Sequence, residues 1–219
     1  MFKYLLREHA YALTRMGCLR VGTLYDFRKN EHRSGIHDPQ EGKKKVIHST
    51  PELKIEHTNR ATAHQSKHLR ALSTFGAISL ENCSFVTISP QNLVQELESQ
   101  NLFIYCLSSL STPDLYREFE GSNVRVHIHD VRAFFNLVTQ SLNSIIAVRF
   151  RGFQEVRYAS RQEHWNGTDW GGHPALLKEV SYSGQHEYRA IWQPIGNSTI
   201  LPLIIGNVGL PACCHFIGY

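Results

Sequence analysis

The sequence predicts an α+β fold built on a mixed or antiparallel sheet. Segments with strand character outnumber helical ones, and most helical segments gather in the middle of the chain instead of alternating with strands as in a doubly wound fold. The 219 residues contain no internal repeat and no boundary between domains. We therefore expect one domain, 1–219, with a basic, histidine-rich insertion at about 31–70.

The first predicted elements are a strand, a helix and a strand. Residues 2–5 form the first strand, and residues 8–16 repeat apolar side chains at helical spacing. Gly17 suits the end of that helix, because glycine adopts the left-handed conformation that often terminates helices. Residues 19–23 alternate as the second strand.

Residues 31–70 differ from the rest of the chain because they carry few large apolar side chains. We expect a solvated, partly mobile insertion with short helical or strand pieces. It serves either as a lid or recognition loop or as a plain surface excursion. The segment carries three successive lysines, 43–45, and the histidines His32, His37, His48, His57, His64 and His68.

Ordered structure is predicted to resume at 77–80 and 84–88. Ser89 and Pro90 suit the N-cap and first position of a helix that runs to about Ser99. Asp130 caps a further helix that ends near Leu142. The remaining predicted elements are a central apolar strand at 102–107, strands at 124–128, 145–150, 154–158, 187–193, 200–205 and 215–218, and a short helix at 174–180.

Composition limits the class of protein. Apolar residues make up 42% of the chain, which supports a hydrophobic core. There is no apolar run of membrane-spanning length, and Arg7 and Glu8 interrupt any signal peptide, so we predict a cytoplasmic protein without membrane contact. Five cysteines without a Cys-x-x-Cys pair argue against a disulfide framework. The net charge of +4 permits a nucleic-acid partner and fits an acidic protein equally well.

Residues 19–28 bring arginines and aromatic side chains together where a strand ends. Arg20 and Arg28 carry planar guanidinium groups that bind two phosphate oxygens at once. Tyr25 and Phe27 offer flat rings on which nicotinamide can stack. The alternative interpretation is an ordinary turn with surface arginines.

The strand at 102–107 runs into a serine-rich segment. Ser108 and Ser109 supply short hydroxyl donors that can orient a carboxylate or a phosphate, although serines are common at strand ends. Cys106 lies within the apolar run, so we expect a small buried hydrophobe and not a nucleophile.

A glutamine and a glutamate stand two residues apart before a late apolar run. On an extended strand this spacing places Gln185, Glu187 and Arg189 on one face. Arg189 would then keep the Glu187 carboxylate ionised and oriented. An exposed carboxylate on an edge strand is the competing interpretation.

Histidine spacing gives only a weak signal for a metal. His64 and His68 have helical spacing and His127 and His129 have strand spacing, but no third ligand is evident, so we predict no metal. The glycine motifs of phosphate loops, Rossmann folds and nucleophile elbows are absent from the sequence. The aromatic, glycine-rich segment 165–172 either stacks a base or, as we favour, packs as a compact loop.

Four short motifs follow one another along the chain. They are aromatic-x-Tyr at 2–4, Asp-Pro-x-Glu-Gly at 38–42, Cys-x-Ser at 106–108, and Glu-Tyr-Arg at 187–189 after a lysine-containing helix. In this order they resemble a bacterial family whose layout is similar to ADP-ribosyltransferase toxins of toxin–antitoxin and phage-defence systems. The resemblance implies a split β-sheet core with flanking helices and NAD as a substrate.

The resemblance also implies roles for individual residues. Glu187 corresponds to the catalytic carboxylate that binds the ribose 2′-hydroxyl of NAD, and Gln185 to the residue that meets the acceptor. Lys3 stands where the family has His or Arg, and Arg7 or Arg20 could replace it. The residues expected to contact NAD are Tyr4, Arg20, Tyr25, Phe27, Arg28, Ser108 and Ser109.

These features together predict an NAD-dependent ADP-ribosyltransferase toxin. We expect it to modify a nucleic acid, RNA in preference to DNA, in phage defence, and to require an antitoxin protein. The alternatives are ADP-ribosylation of a protein, or a nucleic-acid-binding or interaction module without catalysis.

Overall fold

The computed structural model describes residues 1–29, 37–119, 121–196 and 198–217. Their contacts form two compact units. The first comprises Met1–Gly42, Ser99–Ala159 and Pro174–Tyr219, and the second Lys43–Glu98 and Ser160–His173. Within the described ranges, no helix has the length and apolar character needed to span a membrane.

Helices and strands are numbered in chain order. The helices are α1 (Arg7–Met16), α2 (Ala63–Thr74), α3 (Leu115–Glu118) and α4 (Val131–Asn143). The strands are β1 (Phe2–Leu5), β2 (Cys18–Thr23), β3 (Lys43–Thr50), β4 (Leu53–His57), β5 (Ser84–Ile88), β6 (Gln91–Glu98), β7 (Phe103–Ser108), β8 (Val124–Ile128), β9 (Val148–Glu155), β10 (Arg157–Tyr158), β11 (Gln162–His164), β12 (Leu177–Lys178), β13 (Glu187–Pro194), β14 (Leu203–Gly206) and β15 (Cys214–Ile217).

The first unit is built on an eight-stranded antiparallel sheet with β7 at its centre. β13 pairs with every residue of β7 along one edge. Two strands share the other edge, since β2 pairs with the start of β7 (Gly22 opposite Ile104) and β1 with its end (Phe2 opposite Ser108). The predicted α+β class is therefore confirmed, and the central position expected for the 102–107 strand is correct.

Local signals account for the helices that flank this sheet. Gly17 ends α1 with φ 65°, and its N–H donates to the Leu13 carbonyl. A Cβ at Gly17 would lie 2.1 Å from the Asn207 carbonyl oxygen, so this close approach admits only glycine. The Asp130 carboxylate caps α4 by accepting the Ala133 N–H at 2.9 Å. Both predicted helices are confirmed.

The core of the first unit lies between the sheet and these two helices. Leu13 of α1 and Phe134 of α4 are fully buried in one hydrophobic cluster with Phe103 of β7 and Trp192 of β13. Trp192 also donates from its indole N–H to the Thr139 hydroxyl at 2.7 Å, which satisfies its polar group. The helices thus fix the positions of β7 and β13, the two strands that carry the candidate site.

The second unit has its own sheets and its own hydrophobic cluster. β3 pairs with β6 in antiparallel register over eight residues and with β11 in parallel, while β4 pairs with β5. Thr62 and Gln65 form a reciprocal capping box at the start of α2. Trp165 is buried in the cluster with Val46 and Leu72, which agrees with a packed loop at 165–172.

Two expectations for this part of the chain are wrong. Residues 91–98 form strand β6 and not a helix, because the whole segment pairs with β3 and burial alternates along it, with Leu93 buried and Val94 exposed. The histidines of the insertion are not all solvated, since His48 and His68 are buried with their ring nitrogens 2.9 Å apart. Residues 31–36 of the insertion lie outside the described ranges.

Candidate active site

Glu187 is the first residue of β13, and its carboxylate is buried. Arg189 Nε donates to Oε1 at 2.6 Å, and Lys178 Nζ donates to Oε2 at 2.7 Å. The predicted contact between Arg189 and Glu187 is therefore confirmed. The interpretation of Glu187 as an exposed edge-strand carboxylate is wrong, because its side chain is 3% exposed.

Arg189 links Glu187 to a second buried carboxylate, Glu41. Its Nη1 and Nη2 atoms donate to the two Glu41 oxygens at 2.7 and 3.0 Å, and Nη1 also reaches the Ala175 carbonyl at 2.6 Å. This two-pronged geometry satisfies the guanidinium away from water. Glu41, Arg189, Glu187 and Lys178 thus form one continuous chain of alternating charges.

The electrostatics of this chain keep Glu187 ionised. Burial alone would raise the pKa of its carboxyl, but the positive charges of Arg189 and Lys178 hold that pKa far below its usual value. Burial and the neighbouring Glu187 charge raise the pKa of the Cys106 thiol to about 12, so this cysteine stays protonated beside the carboxylate. The Glu187 carboxylate is therefore both ionised and buried.

Gln185 reaches the site in a way that the sequence did not predict. It ends a 3₁₀ helix, Val180–Gln185, and His186 is left-handed with φ 44° and ψ 51°, so Gln185 and Glu187 do not share an extended strand. The Lys178 ammonium nevertheless bridges their side chains, because it donates to Gln185 Oε1 at 2.7 Å as well as to Glu187. The two residues are thus brought to the same ammonium by the turn at His186 and not by their spacing along a strand.

A cavity of about 560 Å³ opens beside Glu187 within the first unit. Its wall includes side chains from β1, β2, β7 and β13, which places it where β1 and β2 separate along the edge of β7. Lys178, Arg189 and Glu41 also line it. Of the residues proposed from the sequence, those on this wall are Tyr4, Arg20, Phe27, Ser108, Gln185 and Glu187.

Three proposed NAD contacts are not among the residues that line this cavity. The Tyr25 hydroxyl donates to the Ser99 carbonyl, and the Arg28 guanidinium lies 4.1 Å from the centre of the Tyr25 ring. The Ser109 N–H donates to the His186 carbonyl. These residues support the surrounding loops instead of facing the cavity.

Two cations of the cavity wall differ in their partners. Arg20 forms an ion pair with Asp26. Lys3 donates to the Cys106 carbonyl at 2.8 Å and lies 4.7 Å from the centre of the Tyr105 ring, but it forms no ion pair with any carboxylate in the described part of the chain. Burial lowers the pKa of Lys3. An anionic ligand would supply a negative charge to pair with this buried ammonium.

Sequence reasoning missed the roles of Glu41 and Lys178. The sequence indicates Glu41 only as part of an Asp-Pro-x-Glu-Gly turn. It predicts a short helix at 174–180 that includes Lys178. The structure instead has a 3₁₀ turn, Pro174–Leu176, followed by β12, which directs Lys178 to Glu187. The Asp-Pro-x-Glu-Gly motif is the signal that the sequence offers for Glu41.

Histidines also gather at the opposite edge of the first unit's sheet. The ring of His215 on β15 lies 4.9 Å from that of His127 and 5.7 Å from that of His129. No three His, Cys, Asp or Glu side chains of the described residues are arranged to hold a metal ion. His127 stacks on Phe2 at 4.9 Å, so this group packs against the start of β1.

Comparison of the chain with known protein families, curated proteins and solved structures found no match.

Proposed function

We propose that this protein is an NAD-dependent ADP-ribosyltransferase with an ADP-ribosyltransferase-like split sheet. The observation that carries the proposal is an ionised, buried glutamate, Glu187, on the wall of a cavity that also presents cations. The cavity volume of about 560 Å³ lies within the range of about 300–1,000 Å³ typical of small-molecule sites. The acceptor that we favour is RNA, then DNA.

The chemistry requires a carboxylate that stays charged. The bond between ribose C1′ and the nicotinamide nitrogen breaks, its electron pair leaves with nicotinamide, and positive charge develops on the ribose. A fixed negative charge at the 2′-hydroxyl stabilises that charge. A carboxylate has about four acceptor positions, and the hydrogen bonds from Arg189 and Lys178 use two of them, which leaves room for the ribose hydroxyl.

The rest of the cavity wall suits the other parts of NAD. Arg20 and Lys3, which forms no ion pair with a carboxylate among the described residues, provide positive charge for the pyrophosphate. Phe27 is the member of the predicted aromatic pair that lines the cavity, so it is the better candidate to stack on nicotinamide. A nucleophilic oxygen or nitrogen of the acceptor would then attack C1′ and lose its proton.

The test supplies labelled NAD to the purified protein with separate pools of RNA, DNA and protein. We expect label in RNA, and we expect Glu187→Gln to abolish transfer because the amide carries no charge. Glu155→Gln, on the neighbouring strand β9, removes a carboxylate that accepts from the Tyr188 hydroxyl, and it serves as the matched control.

Three results would contradict the proposal. Wild-type protein that labels none of the pools is not a transferase, and label confined to protein would show that the acceptor is wrong. A folded Glu187→Gln variant with wild-type activity would remove Glu187 from the mechanism. If that variant does not fold, Glu187→Asp keeps the charge but moves it by one methylene, and it should retain the fold while losing most activity.

A ligand-binding module without catalysis is the second candidate. It is favoured by the internal pairing of the site, because Glu187 already pairs with two cations and Gln185 is fully buried. In that case NAD would raise the melting temperature without any transfer of label. A toxin of the proposed type would further need an antitoxin, which co-purification from the native host would reveal.

A further inference from the structure

Lys178 is a buried lysine whose ammonium joins the two residues that the sequence singled out. It ends β12 and is 4% exposed. Its Nζ donates to Gln185 Oε1 and to Glu187 Oε2, each at 2.7 Å. The Lys178 Nζ atom also lies 4.8 Å from the centre of the Tyr182 ring. The ammonium is thus held by two hydrogen bonds and an aromatic ring.

The position of Lys178 is itself fixed by the backbone around Glu187. β12 pairs in parallel with β10, where Tyr158 lies opposite Lys178. The Tyr158 hydroxyl in turn accepts the backbone N–H of Glu187 at 2.8 Å. Lys178 and Glu187 are therefore connected twice, once through their side chains and once through Tyr158.

A bridge of this kind is required because Gln185 and Glu187 belong to different elements. The left-handed residue His186 separates the 3₁₀ helix of Gln185 from β13. An amide side chain at the end of a 3₁₀ helix has several rotamers, and directional partners select among them. Lys178 supplies one such partner for Gln185 and orients the Glu187 carboxylate at the same time.

We propose that Lys178 is a positioning residue that holds Gln185 and Glu187 in the geometry required for transfer. This inference rests on the proposed ADP-ribosyltransferase function. Lys178 lines the cavity, but it acts through the two side chains that it orients. A lysine that only stabilised the fold would lower the amount of active protein without changing the behaviour of Glu187.

The pH profile separates these two roles. The charged or titratable groups that act on Glu187 are Lys178 on β12, Arg189 on β13, Cys106 on β7, Lys3 on β1 and Tyr158 on β10. Burial raises the pKa of Glu187, and the positive charges of Arg189 and Lys178 lower it. Removal of the Lys178 charge should therefore raise this pKa. The acid limb of kcat should then move to higher pH.

The experiment compares Lys178→Met and Lys178→Arg with wild type in the labelled-NAD assay. We expect Lys178→Met to lower kcat by about 100-fold, because a misplaced reacting geometry costs about that much. The KM for NAD should change by less than about threefold, since the lost interaction acts mainly in the transition state. Lys178→Arg should recover part of kcat. Lys45→Met, which removes an exposed ion pair with Glu96, is the matched control.

The possible failures are distinguishable. If wild type transfers no label, the proposed function fails, whereas an active wild type with unchanged kcat in folded Lys178→Met overturns only the role of Lys178. If Lys178→Met loses the expected kcat but its acid limb stays at the wild-type pH, the role of Lys178 is also overturned. If Lys178→Met does not fold, Gln185→Leu replaces it; this variant keeps the Lys178–Glu187 pair, and a wild-type kcat there would overturn the inference.

Discussion

At the scale of single residues, the site depends on a buried pair of opposite charges, Glu41 and Arg189. Glu41 and Arg189 are each 1% exposed, and their two hydrogen bonds replace the water that both groups lost on folding. A buried pair of this kind contributes little net stability compared with apolar residues, but breaking it leaves an uncompensated charge. The pair therefore holds Arg189 against Glu187 in a single orientation.

Substitution of Glu41 tests this view at the residue scale. We expect Glu41→Gln to lower the free energy of unfolding by about 3 kcal/mol, because Arg189 keeps only one of its two carboxylates. Urea unfolding followed by circular dichroism measures the change. Glu96→Gln removes the exposed pair with Lys45 and should cost less than about 1 kcal/mol. Equal losses in the two variants would show that Glu41 is not a structural counter-ion.

At the scale of elements, α2 and β3 are joined by a pair of buried histidines. His48 Nε2 and His68 Nδ1 lie 2.9 Å apart, so one ring donates and the other accepts. Trp165 packs against His48 with ring centroids 5.5 Å apart. Burial first, and then the nearby Lys67 and other histidines, lower the pKa of both rings. Protonation of both rings would place two N–H donors against each other, so it would break this contact.

This contact predicts acid sensitivity in the second unit. The folded state binds fewer protons than the unfolded state below pH about 6.5, so stability is complete above that value and falls as pH decreases. We expect a loss of about 1–2 kcal/mol between pH ~7.5 and ~5.5 in urea unfolding. His68→Gln, which keeps a neutral hydrogen-bonding group, should reduce that slope. An identical slope in the variant would exclude the pair as its source.

Local signals predicted some elements well and misled for others. Gly17 and Asp130 terminate and begin helices through contacts with their own neighbours, which a single sequence displays. Ser89 and Pro90 give a similar local signal for a helix, but pairing with β3 overrides it and residues 91–98 form a strand. Helix caps are thus informative only where no distant strand competes for the backbone.

At the scale of the whole molecule, the candidate site combines segments that are far apart in the chain. Glu41 and Arg189 are separated by 148 positions and yet share two hydrogen bonds. The sequence identified Glu187 and its neighbour Arg189, because their spacing along one strand is visible without a fold. It did not show the roles of Glu41 and Lys178, because those depend on long-range contacts.

The net charge of +4 supports a prediction for the whole molecule if RNA is the acceptor. Binding that neutralises three phosphates of a single strand weakens about twentyfold between ~50 and ~200 mM salt, because condensed counterions return to the RNA. Fluorescence anisotropy with a labelled oligonucleotide measures this slope, and a neutral peptide serves as the competitor control. Affinity that is indifferent to salt would argue against a nucleic-acid acceptor.

The separation of β1 and β2 along β7 has a consequence for how the cavity recognises a ligand. Between Ile104, which pairs with β2, and Ser108, which pairs with β1, Cys106 of β7 has no strand partner on that edge within the described residues. Its carbonyl accepts a hydrogen bond from Lys3. The main chain at Cys106 therefore contributes to recognition at this wall, and no side-chain substitution can delete it. Selectivity at this wall would persist while the surrounding side chains diverge.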